Sequence, residues 1–170
     1  LTRAWRIVKS KYSAAAFDGE GARLYGGRWN SPGTAMIYAA DSPSLAALEL
    51  LVGLEDAAFL SSFVLLSVDI PDPAIVDLKT DQLPADWRSY PAPPALARYG
   101  DAWIRAATSL ALRVPSVVVP QQSNLLIHPK HPDFRSLVFG PPEPFHLDPR
   151  LLRRPRISAG PVAKRKIVGR

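Results

Sequence analysis

Three side chains in the first third of the chain could share one piece of chemistry: Arg28 in the run Tyr25-Gly26-Gly27-Arg28-Trp29-Asn30, Tyr38 a short way on, and Glu49 beyond it. An arginine beside two glycines is suited to gripping phosphate, because glycine lets a ligand approach the backbone and the guanidinium forks onto two oxygens. Glu49 lies in the run Ser42-Pro43-Ser44-Leu45-Ala46-Ala47-Leu48-Glu49-Leu50-Leu51-Val52. At helical spacing it shares a stripe with Leu45, Leu48 and Val52, which draws an ionisable group toward an apolar face. Such a carboxylate is either a working group or a boundary residue whose head reaches solvent, and periodicity alone leaves both open. Ser116 opens the apolar run Ser116-Val117-Val118-Val119-Pro120, where a serine ordinarily satisfies nearby backbone groups.

The elements that must hold these residues mix strands and helices. Trp5-Arg6-Ile7-Val8 reads as a first strand, and residues 14–30 as a glycine-rich loop. Residues 34–40 read as a strand with Met36, Tyr38 and Ala40 on one face. Ser42 is placed to cap the next helix, with Pro43 at its first turn and Gly53 near its end. Residues 63–70 form a clear strand closed by Pro71 and Pro73. A proline-rich loop follows to Pro94, then a helix over 94–112 that Gly100 could interrupt. In that helix Trp103, Ala106, Ala107 and Leu110 make an apolar stripe of core type. Residues 116–120 read as a buried strand, residues 122–124 as a turn, and residues 137–139 as a last short strand. Without the regular alternation of βαβ units, the pattern predicts an α+β fold with a mixed sheet and flanking helices.

A chain of 170 residues suits one domain with a real core. No apolar run reaches the length of a membrane span and no signal-peptide pattern is present, so a cytoplasmic protein is expected. The absence of cysteine excludes disulfides, thiol nucleophiles and thiolate metal sites. The net charge of +6 is local in origin: eight of the 21 basic residues lie from Arg150 onward and no acidic residue follows Asp148, which leaves residues 1–149 with 13 basic against 15 acidic groups. The expected division is one folded domain over 1–149 and a flexible basic tail over 151–170, native or added. A noncatalytic module binding nucleic acid or a partner through that tail is the reading from another class.

Several chemistries are absent from the sequence. There is no Walker phosphate loop, no zinc-protease helix and no dinucleotide fingerprint after a strand. His128 and His131 invite a metal reading, but Pro129 and Pro132 prevent the helix that would align their rings, so a turn and no metal are expected.

Taken in order, Tyr25-Gly26-Gly27-Arg28-Trp29-Asn30, Ile37-Tyr38-Ala39-Ala40, Ala46-Ala47-Leu48-Glu49, Val114-Pro115-Ser116, Asn124-Leu125-Leu126 and His131-Pro132-Asp133-Phe134 resemble the RES domain, over roughly residues 5–139. The resemblance implies the toxin of a bacterial toxin–antitoxin pair, silenced by a small helix-turn-helix antitoxin of the Xre type. It implies a fold similar to ADP-ribosyltransferase toxins and action on NAD, degraded by hydrolysis or phosphorolysis or used to modify a protein. NAD is then a substrate, with inorganic phosphate as a co-substrate in phosphorolysis, and no resident cofactor is expected. By matching motif, Arg28, Tyr38, Glu49 and Ser116 would form the active-site set. Arg28, Tyr38, Trp29 and Asn30 would contact the dinucleotide. Arg6 is a further phosphate contact or, on an edge strand, half of a surface salt bridge. Gly53 and His128 depart from the family pattern, which has histidine and asparagine there.

Overall fold

A computed structural model describes residues 1–54 and 62–152. Its strands are β1 (Thr2–Lys9), β2 (Ile37–Ala40), β3 (Phe63–Ile70), β4 (Ile75–Asp77), β5 (Ala111–Pro115), β6 (Ser123–Ile127), β7 (Val138–Phe139) and β8 (Glu143–Phe145), and its α-helices are α1 (Glu20–Tyr25), α2 (Pro43–Gly53) and α3 (Pro94–Ala106). They build one mixed eight-stranded sheet in the order β4-β5-β6-β2-β1-β3-β7, with β8 beside β7 along the outer edge of β3. Among the described strands, only β4 and β5 run parallel. The expected α+β class is observed. None of the described helices is long and apolar enough to cross a membrane.

Alternation along the strands sorts the core onto two faces. Ile37, Ala39, Val68, Ile70, Ala111, Leu125 and Ile127 pack on one. Leu112, Val114 and Leu126 pack on the other, under α3, with Trp29, Met36, Leu96 and Trp103. A third, smaller cluster seats α2: Leu45 and Ala46 meet Ala40, with Trp5 and Ile7 of β1 against them.

Local signals and tertiary contacts part company at several places. Residues 14–30 are not all loop, since they hold α1, closed by Gly26 at φ 71° with its N–H on the Ala22 carbonyl. The second strand begins at Ile37 rather than 34. The helix from Pro94 stops at Ala106, because Ala107 turns left-handed at φ 48°. The chain then re-enters the sheet as β5, and the periodic stripe that ran to Leu110 had joined two elements. Gly100 does not interrupt α3. It lets the helix lie against the loop, for a Cβ there would sit 1.8 Å from the Trp29 carbonyl oxygen. Residues 116–120 form a turn rather than a strand, and residues 123–127, expected to begin as a turn, are β6. β1 is interior, paired to β3 along its length and to β2 at one point. The expected tail begins inside a short 3-10 turn, Pro149–Leu152, and residues 153–170 lie outside the described residues. His128 and His131 form the expected turn, each accepting through Nδ1 from the backbone N–H two residues on.

Two consequences follow for stability. Gly100→Ala should cost about 1–3 kcal/mol by overpacking against Trp29, whereas Gly53→Ala, with open space at its Cβ, should stay within about 0.5 kcal/mol of the parent; urea denaturation of both variants checks the contrast. Burial pulls His128 below the ordinary imidazole range, and His131 adds to the effect. The folded state therefore holds it neutral while the unfolded chain takes up a proton near pH 6.5. The stability tied to this group is present above that pH and is lost as pH falls below it toward the depressed folded value. Between pH 8 and 5 the Tm should drop further for the parent than for His128→Asn, whose side-chain oxygen keeps the Lys130 N–H bond; equal drops would assign the effect elsewhere.

Candidate active site

The site begins where two strands part. β1 and β3 pair residue for residue from Thr2 opposite Ile70 to Lys9 opposite Phe63, but β1 and β2 share a single register pair, Trp5 opposite Ala40. Beyond it the Tyr38 carbonyl has no strand partner on that side, and Arg6 Nη1 donates to it instead. The guanidinium thus fills the gap, and Arg6 Nε is buried without an acceptor among the described residues. Burial lowers the Arg6 pKa, opposed first by the Asp18 carboxylate. Of the two readings of Arg6, the edge-strand salt bridge is not seen: β1 is interior, and Arg6 makes no ion pair among the described residues.

At the mouth of this gap is a hollow of about 240 Å³ lined by Trp5, Arg6, Tyr38, Ala46, Glu49 and Asn124, among others. Glu49 reaches it from α2. Ser42 caps that helix as expected, its Oγ accepting from the Leu45 N–H at 3.1 Å. The apolar stripe is rotated from its expected position: Leu45 and Ala46 are buried, while Leu48 and Val52 are 38% and 73% exposed. Glu49 is half-buried because it shares the side of α2 that carries Ala46 into the sheet.

The Glu49 carboxylate is held through one oxygen. Ser116 Oγ donates to Oε1 at 2.9 Å and Asn124 Nδ2 donates to the same atom at 2.7 Å. Ser116 is fully buried, and its oxygen accepts from the Val118 and Val119 N–H groups at 3.1 and 3.0 Å. Those bonds occupy its lone pairs and aim its hydrogen at Glu49. Oε2 carries no hydrogen bond among the described residues.

Tyr38 lines the hollow, but its hydroxyl is spent. It accepts from the Trp29 N–H at 3.0 Å and donates to Asn30 Oδ1 at 2.7 Å. Burial pushes its pKa well above the ordinary phenol range, the Trp29 bond opposing, so the group stays protonated. What it offers a ligand is the face of its ring. Asn30, in turn, donates through Nδ2 to the carbonyls of Ala22, Ser31 and Thr34. Trp29 and Asn30 are both buried, and through the Trp29 N–H and the Asn30 Oδ1 they hold the Tyr38 hydroxyl. Gly27 belongs to the same support: a Cβ there would lie 2.6 Å from the Tyr38 hydroxyl oxygen. The glycine serves close packing against the protein's own tyrosine.

Arg28 lies outside the lining of the hollow but within electrostatic reach of Glu49. Nη1 donates to the Trp87 carbonyl at 2.7 Å and Nη2 to the Ser89 carbonyl at 3.2 Å, which leaves further N–H groups for an anion. Burial lowers its pKa, and the nearby Glu49 carboxylate pulls the other way. Of the expected set, the fold therefore gathers Tyr38, Glu49, Ser116 and Arg6 directly and sets Arg28 beside them. Asn124 was passed over as a turn residue. Its signal was a single amide on the face of an apolar strand, opposite Ala40 in register. The carbonyls that seat Arg28 had no signal, because every residue owns one.

The RES domain family matches residues 3–148 of the chain. A protein of Yersinia enterocolitica named Toxin Res is 44% identical over 148 residues, covering 86% of this chain and 97% of that one. A Sphingobium protein named Prs ADP-ribosylating toxin is 35% identical over 158 residues, covering 90% and 98%. Among solved structures, a chain of the Mycobacterium tuberculosis MbcT–MbcA toxin–antitoxin complex superimposes with a TM-score of 0.71 at 23% identity, over 85% of this chain and 84% of that one. That likeness establishes the shared fold. With the family matched from the first strand to the last and the motif residues converging on one cleft, the chain belongs to the RES domain family.

Proposed function

We propose that this chain is the toxin of a toxin–antitoxin pair and that it consumes NAD by breaking the bond between nicotinamide and ribose. The observation that carries this is the Glu49 carboxylate, pinned at Oε1 by Ser116 and Asn124, its other oxygen unbonded among the described residues, beside a cleft that also holds Arg6 and Tyr38. Breaking the bond from ribose C1′ to the nicotinamide nitrogen builds positive charge on the sugar, while nicotinamide departs as a neutral base. The requirement is a fixed anion near the ribose rather than a strong general acid. A carboxylate held by two donors loses little freedom on meeting that charge, which is the advantage of preorganisation. Arg28 and Arg6 supply positive charge for the pyrophosphate, and for inorganic phosphate if that is the acceptor. The Tyr38 ring flanks the nicotinamide ribose end. Water at C1′ gives ADP-ribose, and phosphate gives its phosphate ester.

A second chemistry shares the first step: attack on C1′ by a side chain of another protein, giving ADP-ribosylation. The name of the Sphingobium relative, an ADP-ribosylating toxin, favours keeping it. Purified protein incubated with NAD, with and without inorganic phosphate, and analysed by mass should release nicotinamide. Glu49→Ala should reduce the rate at least ~100-fold. Ser116→Ala and Asn124→Ala should each cost roughly 10–100-fold, the range for a hydrogen bond to a charged group. Intact NAD in every tube, from folded and partner-free protein, would sink NAD degradation and move protein modification to the front.

The antitoxin on this proposal is a small helix-turn-helix protein of the Xre type that covers the Arg28 to Glu49 cleft. The structural neighbour comes from a toxin–antitoxin complex, which agrees with a covered surface. Adding the partner should stop nicotinamide release, and a stable complex that turns over NAD at the free rate would overturn this assignment.

A further inference from the structure

The hollow at Glu49, at about 240 Å³, is below the ~300–1,000 Å³ that small-molecule sites occupy and cannot enclose a dinucleotide. It continues past Arg6. Arg6 and Tyr38 also line a second hollow, with Gly27 and Tyr25, and Arg6 and Tyr25 line a third, of about 380 Å³, with Tyr12, Asp18 and Leu24. Arg6 is the side chain common to all three. Its buried Nε has no acceptor among the described residues, a donor that an anionic ligand would satisfy.

We propose that the hollow beyond Arg6, lined by Tyr12, Asp18, Leu24 and Tyr25, receives the adenosine half of the dinucleotide and discriminates against a 2′-phosphate on it. The proposal rests on the NAD reading above and adds to it where the rest of the substrate lies. With the scissile ribose at Glu49 and the pyrophosphate against Arg6, the remaining half has this direction open to it. Tyr25 and Leu24 are exposed, and together they offer an aromatic and an aliphatic surface to a purine. Asp18 supplies the polar contact. Its Oδ1 accepts from the Glu20 N–H at 2.8 Å, and its Oδ2 has no partner among the described residues. A carboxylate so placed accepts from ribose hydroxyls and repels a phosphate in their place. Arg23 nearby in the chain is bound to Glu20, and the cation that shares this hollow with Asp18, Arg6, is engaged by the pyrophosphate on this placement.

The test compares kcat/KM for NAD, for nicotinamide mononucleotide, which has the same scissile bond and no adenosine, and for NADP, which carries the 2′-phosphate. The full-length parent should prefer NAD over the mononucleotide by about 100-fold or more and over NADP by about tenfold or more. Tyr25 is 83% exposed, so Tyr25→Ala is not expected to disturb folding; it should reduce the NAD to mononucleotide ratio about tenfold. Asp18→Asn retains the Oδ1 acceptor and should bring the NAD to NADP ratio near one. Parent-like ratios in both variants, with NAD still cleaved, would overturn the adenosine site and leave the NAD reading intact. Cleavage of none of the three by the parent would overturn both.

Discussion

The parting of β1 and β2 after the single pair of Trp5 and Ala40 is the constraint on which the site depends. A sheet that parts in its interior leaves main-chain groups without partners, and a buried carbonyl cannot be left so without cost. The chain meets this with Arg6, whose guanidinium takes the Tyr38 carbonyl and props the strands apart. The same residue that repairs the sheet thereby sets a positive charge at the floor of the opening. A shorter or apolar side chain would leave the carbonyl bare. Lysine would supply charge without the rigid fork.

Around this opening the polar groups divide into those already used and those still available. Tyr38, Asn30 and the Trp29 N–H form a closed set in which every hydrogen bond of the tyrosine hydroxyl is made within the protein. Gly27 makes room for it, and Gly100 lets α3 press on the Trp29 carbonyl from behind. The wall is stiff for that reason. Glu49 is the opposite case, with one oxygen committed to Ser116 and Asn124 and the other unbonded. An anion oriented in advance, rather than a mobile acid, is what a reaction passing through positive charge on a sugar needs.

Much of the architecture was legible because its signals were local. The cap at Ser42, Pro43 in the first turn of α2 and the strand over residues 63–70 all act within a few residues, and each stands where propensity and periodicity put it. Errors arose where two elements abut. The apolar spacing from Trp103 to Leu110 continued across a helix end that only the left-handed Ala107 marks. The valine run after Ser116 suggested a strand, yet its N–H groups serve the serine oxygen as a turn. In both stretches apolar spacing misled on conformation and reported burial only in part: Trp103 and Leu110 are buried, Ala106 and Ala107 are exposed, and Val117, Val118 and Val119 are half-buried, since an apolar residue carries no mark of the element it stands in.

For the site, residue identity by itself determined the chemical inventory and the family: a guanidinium beside glycines, a phenol on a strand, a carboxylate on a capped helix and a serine opening an apolar run, in the order that marks a RES domain. Those are properties of side chains and of short runs, so they can be read without a fold. Only the tertiary structure decided that Glu49 meets a serine 67 residues away and an asparagine 75 residues away, and that Tyr38 has no hydroxyl to spare. Such contacts depend on which strands lie side by side and on backbone donors that every residue carries, and neither leaves a mark in the order of the amino acids.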